Sequence, residues 1–276
     1  MDFNLLTEKI EKHFEEGLPF VVYSLPNQKI VSALLQKNPE LSTISELTDN
    51  GFVLAPFEYN DSAYFIPEND SEIVSAELSE NTIELTPVPV AENASERKTY
   101  LEKVQKTIDN IKRRRATKIV ISRPKDFPLS NFSLKQLLER LFGAYPSAFR
   151  YIWYHPQTGM WCGATPETLV RVETDSFKTM ALAGTQPFYN SEKVSWGPKE
   201  LDEQQMVTDS ITNSLQRLTS VLKVSNPYTY RAGSLLHLRT DITGILKRGK
   251  VTLTKIAAAL HPTPAVCGSP QKFAKE

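Results

Sequence analysis

The sequence predicts an α+β fold in which antiparallel β-sheets are covered on the outside by helices. Apolar residues recur at helical spacing in several segments, and β-branched and aromatic runs lie between turn residues in others. The two kinds of segment do not alternate regularly along the 276 residues. Regular alternation would indicate a parallel sheet, so the mixed order favours antiparallel sheets.

The N-terminal third begins with an amphipathic helix in MDFNLLTEKIEKHF. Its apolar positions are Phe3, Leu6, Ile10 and Phe14. Residues 18–90 then contain the apolar runs GLPFVVYSLP, GFVLAPF and SAYFIP between Gly, Pro, Asn and Asp, which is typical of strands joined by turns. The segment TPVPVAENAS, residues 86–95, is predicted to be a connector.

Helices and strands also mix in the rest of the chain. A helix is predicted from about Ser95, and another follows in FSLKQLLERLFGAYP with Ser133 as its cap. Between them, the β-branched residues after Lys118 favour a strand. Further predicted elements are a strand meander at residues 148–188, a helix from Pro198 to Leu222, the strands TYRAG and LLHLRTDITGIL, and a short helix in TLTKIAAALHP.

The last ten residues, CGSPQKFAKE, predict one more helix. Ser269 is placed to cap it and Pro270 to occupy its first position. The sequence ends soon after this helix starts. We therefore expect the chain to be a truncated form of a longer protein.

The composition indicates a cytoplasmic protein that acts on a small molecule. Basic and acidic residues number 32 each, so the formal net charge is zero. The basic cluster Lys112–Arg115 ends a predicted helix, where cations favour the helix dipole, so no nucleic-acid partner is expected. No apolar run could span a membrane, and the first helix is not a signal peptide. Cys162 and Cys267 suggest neither a disulfide framework nor a zinc site.

Two glutamates near the start of the long helix could hold a metal ion. Glu200 and Glu203 are three positions apart and share a helix face, and Val207 points the same way. Carboxylate oxygens suit a hard cation such as Mg²⁺. The alternative is that acids in a first helical turn simply favour the dipole.

Four other positions could carry chemistry, and each has an ordinary structural alternative. Lys118 could point inward, although most lysines are solvated. Glu167 leads into an apolar strand and could act as an acid, although a turn glutamate usually faces water. Gly184 could let a backbone N–H approach an anion or could belong to a plain turn. His261 stands beside a helix end, where one histidine is usually structural.

The chain contains six motifs in this order: TKIVISR, GATPETLV, ALAGTQP, KELDEQQMV, HLRTDITG and LHPTPAVCG. Together they resemble the chorismate-binding domain of isochorismate synthases and their relatives, the anthranilate, aminodeoxychorismate and salicylate synthases. The resemblance runs from about Ser95 to the last residue. It implies a single chorismate-binding domain over residues 1–276, with a variable part at 1–94 and the motifs at 95–276.

The resemblance also implies roles for individual residues. Lys118 matches the general base that activates water, and Glu167 matches the general acid that protonates the departing 4-hydroxyl group of chorismate. Glu203 matches a Mg²⁺ ligand, and Glu200 matches a second acid that helps to hold the hydrated ion. The positions that match substrate contacts are Gly184, Thr185, His237 and Thr263.

Two positions separate the members of this family. Anthranilate synthases usually carry glutamine at the position of Lys118, and aminodeoxychorismate synthases have a nucleophilic lysine at the position of Ala183. The residues present here therefore imply water as the nucleophile and a Mg²⁺-dependent isochorismate synthase. Salicylate synthase and a non-catalytic protein that retains the fold stay open as alternatives, and so does the choice between menaquinone and siderophore biosynthesis.

The sequence departs from the family pattern in two ways. Gln204 replaces a histidine that is common after the metal-binding glutamate. Further strands, an arginine, a tyrosine and the remaining metal-ligand glutamates of the family would follow position 276. We therefore expect this chain alone to be inactive and to self-associate, whereas the intact enzyme would be a monomer.

Overall fold

The computed structural model describes residues 1–58, 62–78, 93–189 and 194–276. Two compact units are present, one formed by Met1–Leu85 with Leu129–Glu167 and the other by Thr86–Pro128 with Thr168–Glu276. Most of the predicted connector at residues 86–95 lies outside the described residues. The single domain over residues 1–276 stays a prediction.

The helices and strands follow one another without regular alternation. As far as residue 128 they are α1 (Phe3–Glu15), β1 (Phe20–Ser24), β2 (Ile30–Gln36), β3 (Ser42–Ile44), β4 (Gly51–Leu54), β5 (Ala63–Pro67), β6 (Ser71–Glu77), α2 (Ala94–Lys112) and β7 (Lys118–Ile119). After it they are α3 (Leu134–Ala144), β8 (Phe149–His155), β9 (Gly159–Thr165), β10 (Arg171–Glu173), β11 (Ser176–Pro187), α4 (Pro198–Gln216), β12 (Thr219–Val224), β13 (Tyr228–Ala232), β14 (Leu235–Leu246), α5 (Leu253–Leu260), β15 (Gly268–Ser269) and α6 (Gln271–Lys275).

The first unit is built on a five-stranded antiparallel sheet in the order β6-β2-β1-β8-β9, beside a smaller sheet in the order β3-β5-β4. Side chains alternate between the two faces of β1. Phe20 and Val22 pack with residues of α1 and α3, whereas Val21 packs with Ile66 and Trp153. Both faces of β1 are therefore buried, which explains its continuous apolar sequence.

The second unit contains an antiparallel sheet in the order β10-β11-β14-β12, and β13 also pairs with β14. Val207, Ile211 and Leu215 of α4 pack with Ile256 and Leu260 of α5 and with residues of β11 and β14. Helices thus cover sheets that are antiparallel throughout the described residues. The predicted α+β class is confirmed. Among all the described residues, no helix is long and apolar enough to cross a membrane.

Two element boundaries and the burial of one helix differ from the predictions. The helix α4 ends at Gln216 rather than Leu222, because Thr219 begins a strand that pairs with β14. The last helix starts at Gln271 with Pro270, not Ser269, at its cap. No residue of α2 is buried, although its apolar positions lie at helical spacing.

A buried histidine in the first unit gives stability a dependence on pH. Burial lowers the pKa of His155, and a hydrogen bond to the backbone of Glu40 partly offsets this effect. The unfolded chain therefore binds a proton below about pH 6.5 more readily than the folded chain does. We expect the free energy of unfolding to fall as the pH drops below that value. Urea denaturation at several pH values should show that the free energy of unfolding changes less with pH for His155→Gln than for wild type. An unchanged pH dependence would contradict this account.

Candidate active site

The backbone around Lys118 is fixed by the segment that ends the LHPTPAVCG motif. In the β7–β15 pair, Ser269 lies opposite Lys118 and Gly268 lies opposite Ile119. The N–H of Thr117 donates to the Ser269 carbonyl at 2.8 Å, and the N–H of Val120 donates to the Cys267 carbonyl at 2.8 Å. Two motifs far apart in the sequence therefore hold Lys118 in place.

Close contact between these strands requires a glycine at position 268. Gly268 has φ of +140°, and a Cβ atom there would meet the Lys118 carbonyl and lie 3.0 Å from the Ile119 Cα. We expect Gly268→Ala to lower the free energy of unfolding by about 1–3 kcal/mol, measured by urea denaturation. Gly249→Ala is the matched control, because Gly249 also has positive φ but no atom lies within 4 Å of its added Cβ. Equal costs at both positions would contradict the steric explanation.

The side chain of Lys118 meets a carboxylate of α4. Its Nζ donates to Oε1 of Glu203 at 2.7 Å. The side chains of Lys118 and Glu203 are 16% and 30% exposed, respectively. Water screens this ion pair less than it screens a surface pair. Lys118 is therefore not a solvated surface lysine, whereas its role as a base stays a prediction.

Glu200 lies one turn before Glu203 and caps its own helix. The helix α4 begins after Gly197, whose N–H donates to Oε2 of Glu200 at 3.1 Å. This contact satisfies one of the N–H groups that have no partner within the helix. The ordinary structural role considered for Glu200 is therefore present, and it engages one of the two carboxylate oxygens. The metal role of Glu200 stays a prediction.

The donor atoms of Glu200 and Glu203 suit a hard cation, but they do not form a complete metal site. Within the described ranges, no group of three His, Cys, Asp or Glu residues could hold a metal ion. Mg²⁺ is usually held by one or two carboxylates together with water and substrate oxygens. The two glutamates fit Mg²⁺ in this limited form, with Oε1 of Glu203 already engaged by Lys118.

A bulge in β11 brings the backbone close to α4. The register between β11 and β14 shifts between Ala183 and Thr185. Gly184, between them, has φ of +71°, and a Cβ atom there would lie 3.3 Å from the Cβ of Glu200. Glycine is therefore required both by the backbone conformation and by the approach of the helix.

Thr185 and His237 meet across the β11–β14 pair. The Nδ1 atom of His237 lies 3.1 Å from Oγ1 of Thr185 and 3.2 Å from the Gly184 carbonyl oxygen. A carbonyl oxygen only accepts, so Nδ1 carries the hydrogen in this arrangement. His237 is thereby held with Nε2 left as its acceptor.

The remaining predicted residues lie in separate segments. Thr263 is buried after α5, and its carbonyl accepts the N–H groups of Val266 and Cys267 at 3.1 and 3.0 Å. Glu167 is the last residue of the first unit, and its N–H donates to Oγ1 of Thr165 at 3.2 Å. Contacts thus link Lys118 to Glu203 and group Gly184, Thr185 and His237. The hydrogen bonds given above for Thr263 and Glu167 join each of them to residues of its own segment.

A family model described as chorismate binding enzyme matches residues 58–276. The chain belongs to this family. Chorismate-binding enzymes are also found among its relatives in sequence and structure.

Two curated relatives of this chorismate-binding enzyme are described as isochorismate synthases. MenF of Haemophilus influenzae is 27% identical over 286 residues, which cover 99% of this chain and 63% of the relative. DhbC of Bacillus subtilis is 34% identical over 123 residues, which cover 41% and 31% of the two chains. The chain thus spans less than two thirds of the length of either relative.

A solved structure supports the same fold. MenF of Escherichia coli, described as a menaquinone-specific isochorismate synthase, has a TM-score of 0.64 and 17% identity, with 93% of this chain and 71% of that chain covered. At this level of identity the likeness concerns the fold alone. It agrees with the α+β class seen in this chorismate-binding enzyme.

The sequence did not predict a structural role for Gln204. Gln204 is buried, and its Nε2 donates to the Ala181 carbonyl at 3.1 Å and to Oγ1 of Thr240 at 3.0 Å. It therefore ties α4 to β11 and β14 directly beside Glu203. The available signal was its place in the apolar stripe that continues through Val207 and Ile211.

Two charged residues next to His237 were also missed. Arg239 donates to Oδ1 of Asp241 at 2.7 and 3.0 Å, and Tyr228 donates to Oδ2 at 3.1 Å. Burial acts to raise the pKa of Asp241, but the hydrogen bonds and charge of Arg239 together hold it below its usual value. Strand alternation places His237, Arg239 and Asp241 on one face of β14, and this periodicity could have identified them.

Proposed function

We propose that this chain is part of a Mg²⁺-dependent isochorismate synthase, which interconverts chorismate and isochorismate. The observation that carries the proposal is the position of Lys118, a largely enclosed amine beside a carboxylate of α4. The relatives described as isochorismate synthases support it. The resemblance to the family, through Lys118 and Ala183, implies water as the nucleophile.

Lys118 is proposed to activate the water that attacks C2 of chorismate. The water oxygen forms the new bond to C2 while one of its protons passes to Nζ of Lys118, once that group has given up a proton of its own. Backbone hydrogen bonds from Thr117 and Val120 fix the direction from which the side chain starts. A base held in this way can meet the water at one place on the ring.

Glu167 is proposed to supply the proton at the other end of the reaction. As the double bonds shift, the C4–oxygen bond breaks and the leaving hydroxyl group takes the proton of Glu167. One water molecule is therefore added and one is released. Base and acid act on different carbons, which suits two groups with opposite requirements for protonation.

Glu203 and Glu200 are proposed to hold Mg²⁺ at the start of α4. When bound, Mg²⁺ supplies positive charge for the ring carboxylate of the substrate. Gly184 and Thr185 are proposed to contact the substrate through backbone and side chain, with His237 and Thr263 lining the pocket. The hydrogen bond between Thr185 and His237 would orient both side chains.

Loss of charge at Glu203 should weaken the use of Mg²⁺. We expect Glu203→Gln to shift the Mg²⁺ dependence of the full-length enzyme to higher concentrations, because a neutral amide is a poorer ligand of the same size. The measurement is initial rate against Mg²⁺ concentration. Asp202→Asn is the matched control, since Asp202 is the exposed neighbour on the same helix. Identical titrations for Glu203→Gln and wild type would place the metal elsewhere.

Product analysis tests the proposed function directly. Chorismate and Mg²⁺ are incubated with the full-length gene product, and the products are separated by chromatography. Isochorismate as the end product supports the proposal, whereas salicylate with pyruvate would identify a salicylate synthase. Unchanged chorismate over a wide range of Mg²⁺ would indicate a non-catalytic protein.

The proposal extends to the setting of the enzyme. We propose a monomeric, cytoplasmic enzyme with a small-molecule substrate. Isochorismate begins both menaquinone and siderophore routes. Either route is compatible with the residues proposed for catalysis.

A further inference from the structure

We propose that Lys118 and a divalent cation compete for the carboxylate of Glu203. In the absence of the cation, Lys118 would be the counter-ion of this carboxylate. The inference rests on the proposed function, because it takes Glu203 as the Mg²⁺ ligand. It adds that the proposed base and the proposed metal ligand contact each other directly. Binding of a cation to Glu203 would therefore decide whether Lys118 is held by that carboxylate.

The contact between the two side chains is short and enclosed. Nζ of Lys118 donates to Oε1 of Glu203 at 2.7 Å, and the Lys118 side chain is 16% exposed. Charge-assisted hydrogen bonds of this length are stronger than neutral ones. A cation that binds Oε1 therefore competes with the ammonium group for that atom.

Both partners are anchored by other contacts. The backbone on either side of Lys118 is bonded to Ser269 and Cys267. The helix residue after Glu203 is Gln204, whose buried amide is bonded to β11 and β14. Neither backbone can move away easily, so the ammonium group stays within reach of the carboxylate.

Electrostatic repulsion opposes a cation even at the second oxygen. The two oxygens of one carboxylate are only about 2 Å apart, so a cation on Oε2 would still lie close to the ammonium group. Two positive charges at about 4 Å repel more strongly in a partly buried site than in water. Loss of the Lys118 charge should therefore strengthen cation binding, although it removes a residue of the proposed active site.

The competition sets an order of events for this site. While Lys118 donates to Glu203, its Nζ is directed at the carboxylate rather than at a substrate water. When the carboxylate is taken by a cation, the side chain of Lys118 leaves it and is no longer held by Glu203. The base would thus be free in the cation-loaded site and held in the empty one.

Manganese binding by the full-length protein tests the competition without measuring activity. Free and bound Mn²⁺ are distinguished by electron paramagnetic resonance during a titration of wild type, Lys118→Met and Lys118→Gln. We expect both variants to bind Mn²⁺ about three- to tenfold more tightly than wild type. Lys118→Arg, which keeps the charge, should show no such gain.

Two further variants show whether the gain belongs to Glu203. Lys199→Met removes the same charge from an exposed position beside Glu200 and should change the affinity much less. Glu203→Gln combined with Lys118→Met should abolish the gain. Circular dichroism confirms which variants are folded before affinities are compared.

The inference is overturned if folded Lys118→Met and Lys118→Gln bind Mn²⁺ no more tightly than wild type. It is also overturned if the Lys199→Met control gains as much affinity for Mn²⁺, or if the double variant Lys118→Met with Glu203→Gln still binds Mn²⁺ more tightly than wild type. Failure of the proposed function would give a different experimental result. The full-length protein would then bind Mn²⁺ with the expected differences and still form no isochorismate from chorismate.

Discussion

Replacement of Lys118 by alanine is expected to lower the rate of isochorismate formation by the full-length enzyme by about two to four orders of magnitude, which is the usual effect of a positioned base. The Lys118 side chain is largely enclosed and donates to Glu203. If Lys118 is the base, alanine would leave the attacking water without a proton acceptor. The Michaelis constant should change much less, because the base contacts the water and not the body of the substrate.

The control for this prediction is Lys199→Ala, which removes an exposed lysine from the same part of the molecule. Its rate should stay near that of wild type. Circular dichroism and thermal unfolding establish that the Lys118→Ala protein is folded. A folded Lys118→Ala enzyme with a near-normal rate would contradict the assignment of Lys118 as the base.

Local sequence patterns predicted the elements whose determinants are local. The cap at Ser133 is an example, because its side chain accepts the N–H of Gln136 at 3.2 Å, as a helix cap requires. The end of α4 could not be read in this way. Leu218 and Leu222 continue the helical spacing, but residues 219–224 pair with β14, which lies further along the chain. A non-local partner decided that boundary.

The site was predictable to a similar degree. Spacing alone placed Glu200 and Glu203 on one helix face, and α4 places them there. The pairing of Lys118 with Glu203 joins residues 85 positions apart, which no local pattern contains. The resemblance supplied both residues but not their contact. Gln204 was treated as a modest change beside the ligand, because the partners of its amide lie on two distant strands.

A polypeptide that ends at Glu276 is expected to convert no measurable chorismate. Oε1 of Glu203 is engaged by Lys118, and Oε2 of Glu200 caps α4, so two partly engaged carboxylates would have to hold the ion. The resemblance places the other ligand glutamates, and the arginine that holds the substrate carboxylate, beyond position 276. Mg²⁺ gives up water reluctantly, so we expect weak binding of ion and substrate.

The same polypeptide is expected to self-associate. The helix α2 exposes Leu101, Ile108 and Ile111, which are 48%, 39% and 36% exposed. Apolar side chains at helical spacing form a continuous surface that favours association. Light scattering over a range of concentrations measures the mass of the particles. A constant monomer mass would contradict this part of the prediction.

The activity assay decides whether Glu200 and Glu203 are sufficient. Chorismate and Mg²⁺ are supplied to material whose measured mass confirms that it ends at Glu276, and the full-length protein serves as the positive control. Turnover comparable to that control would mean that two carboxylates of one helix hold the ion adequately, with water and substrate as the other ligands. Lys118 would then have to leave Glu203 without help from further acids. In that case two statements would be wrong: that sharing Glu203 with Lys118 makes cation binding weak, and that the additional glutamates are needed.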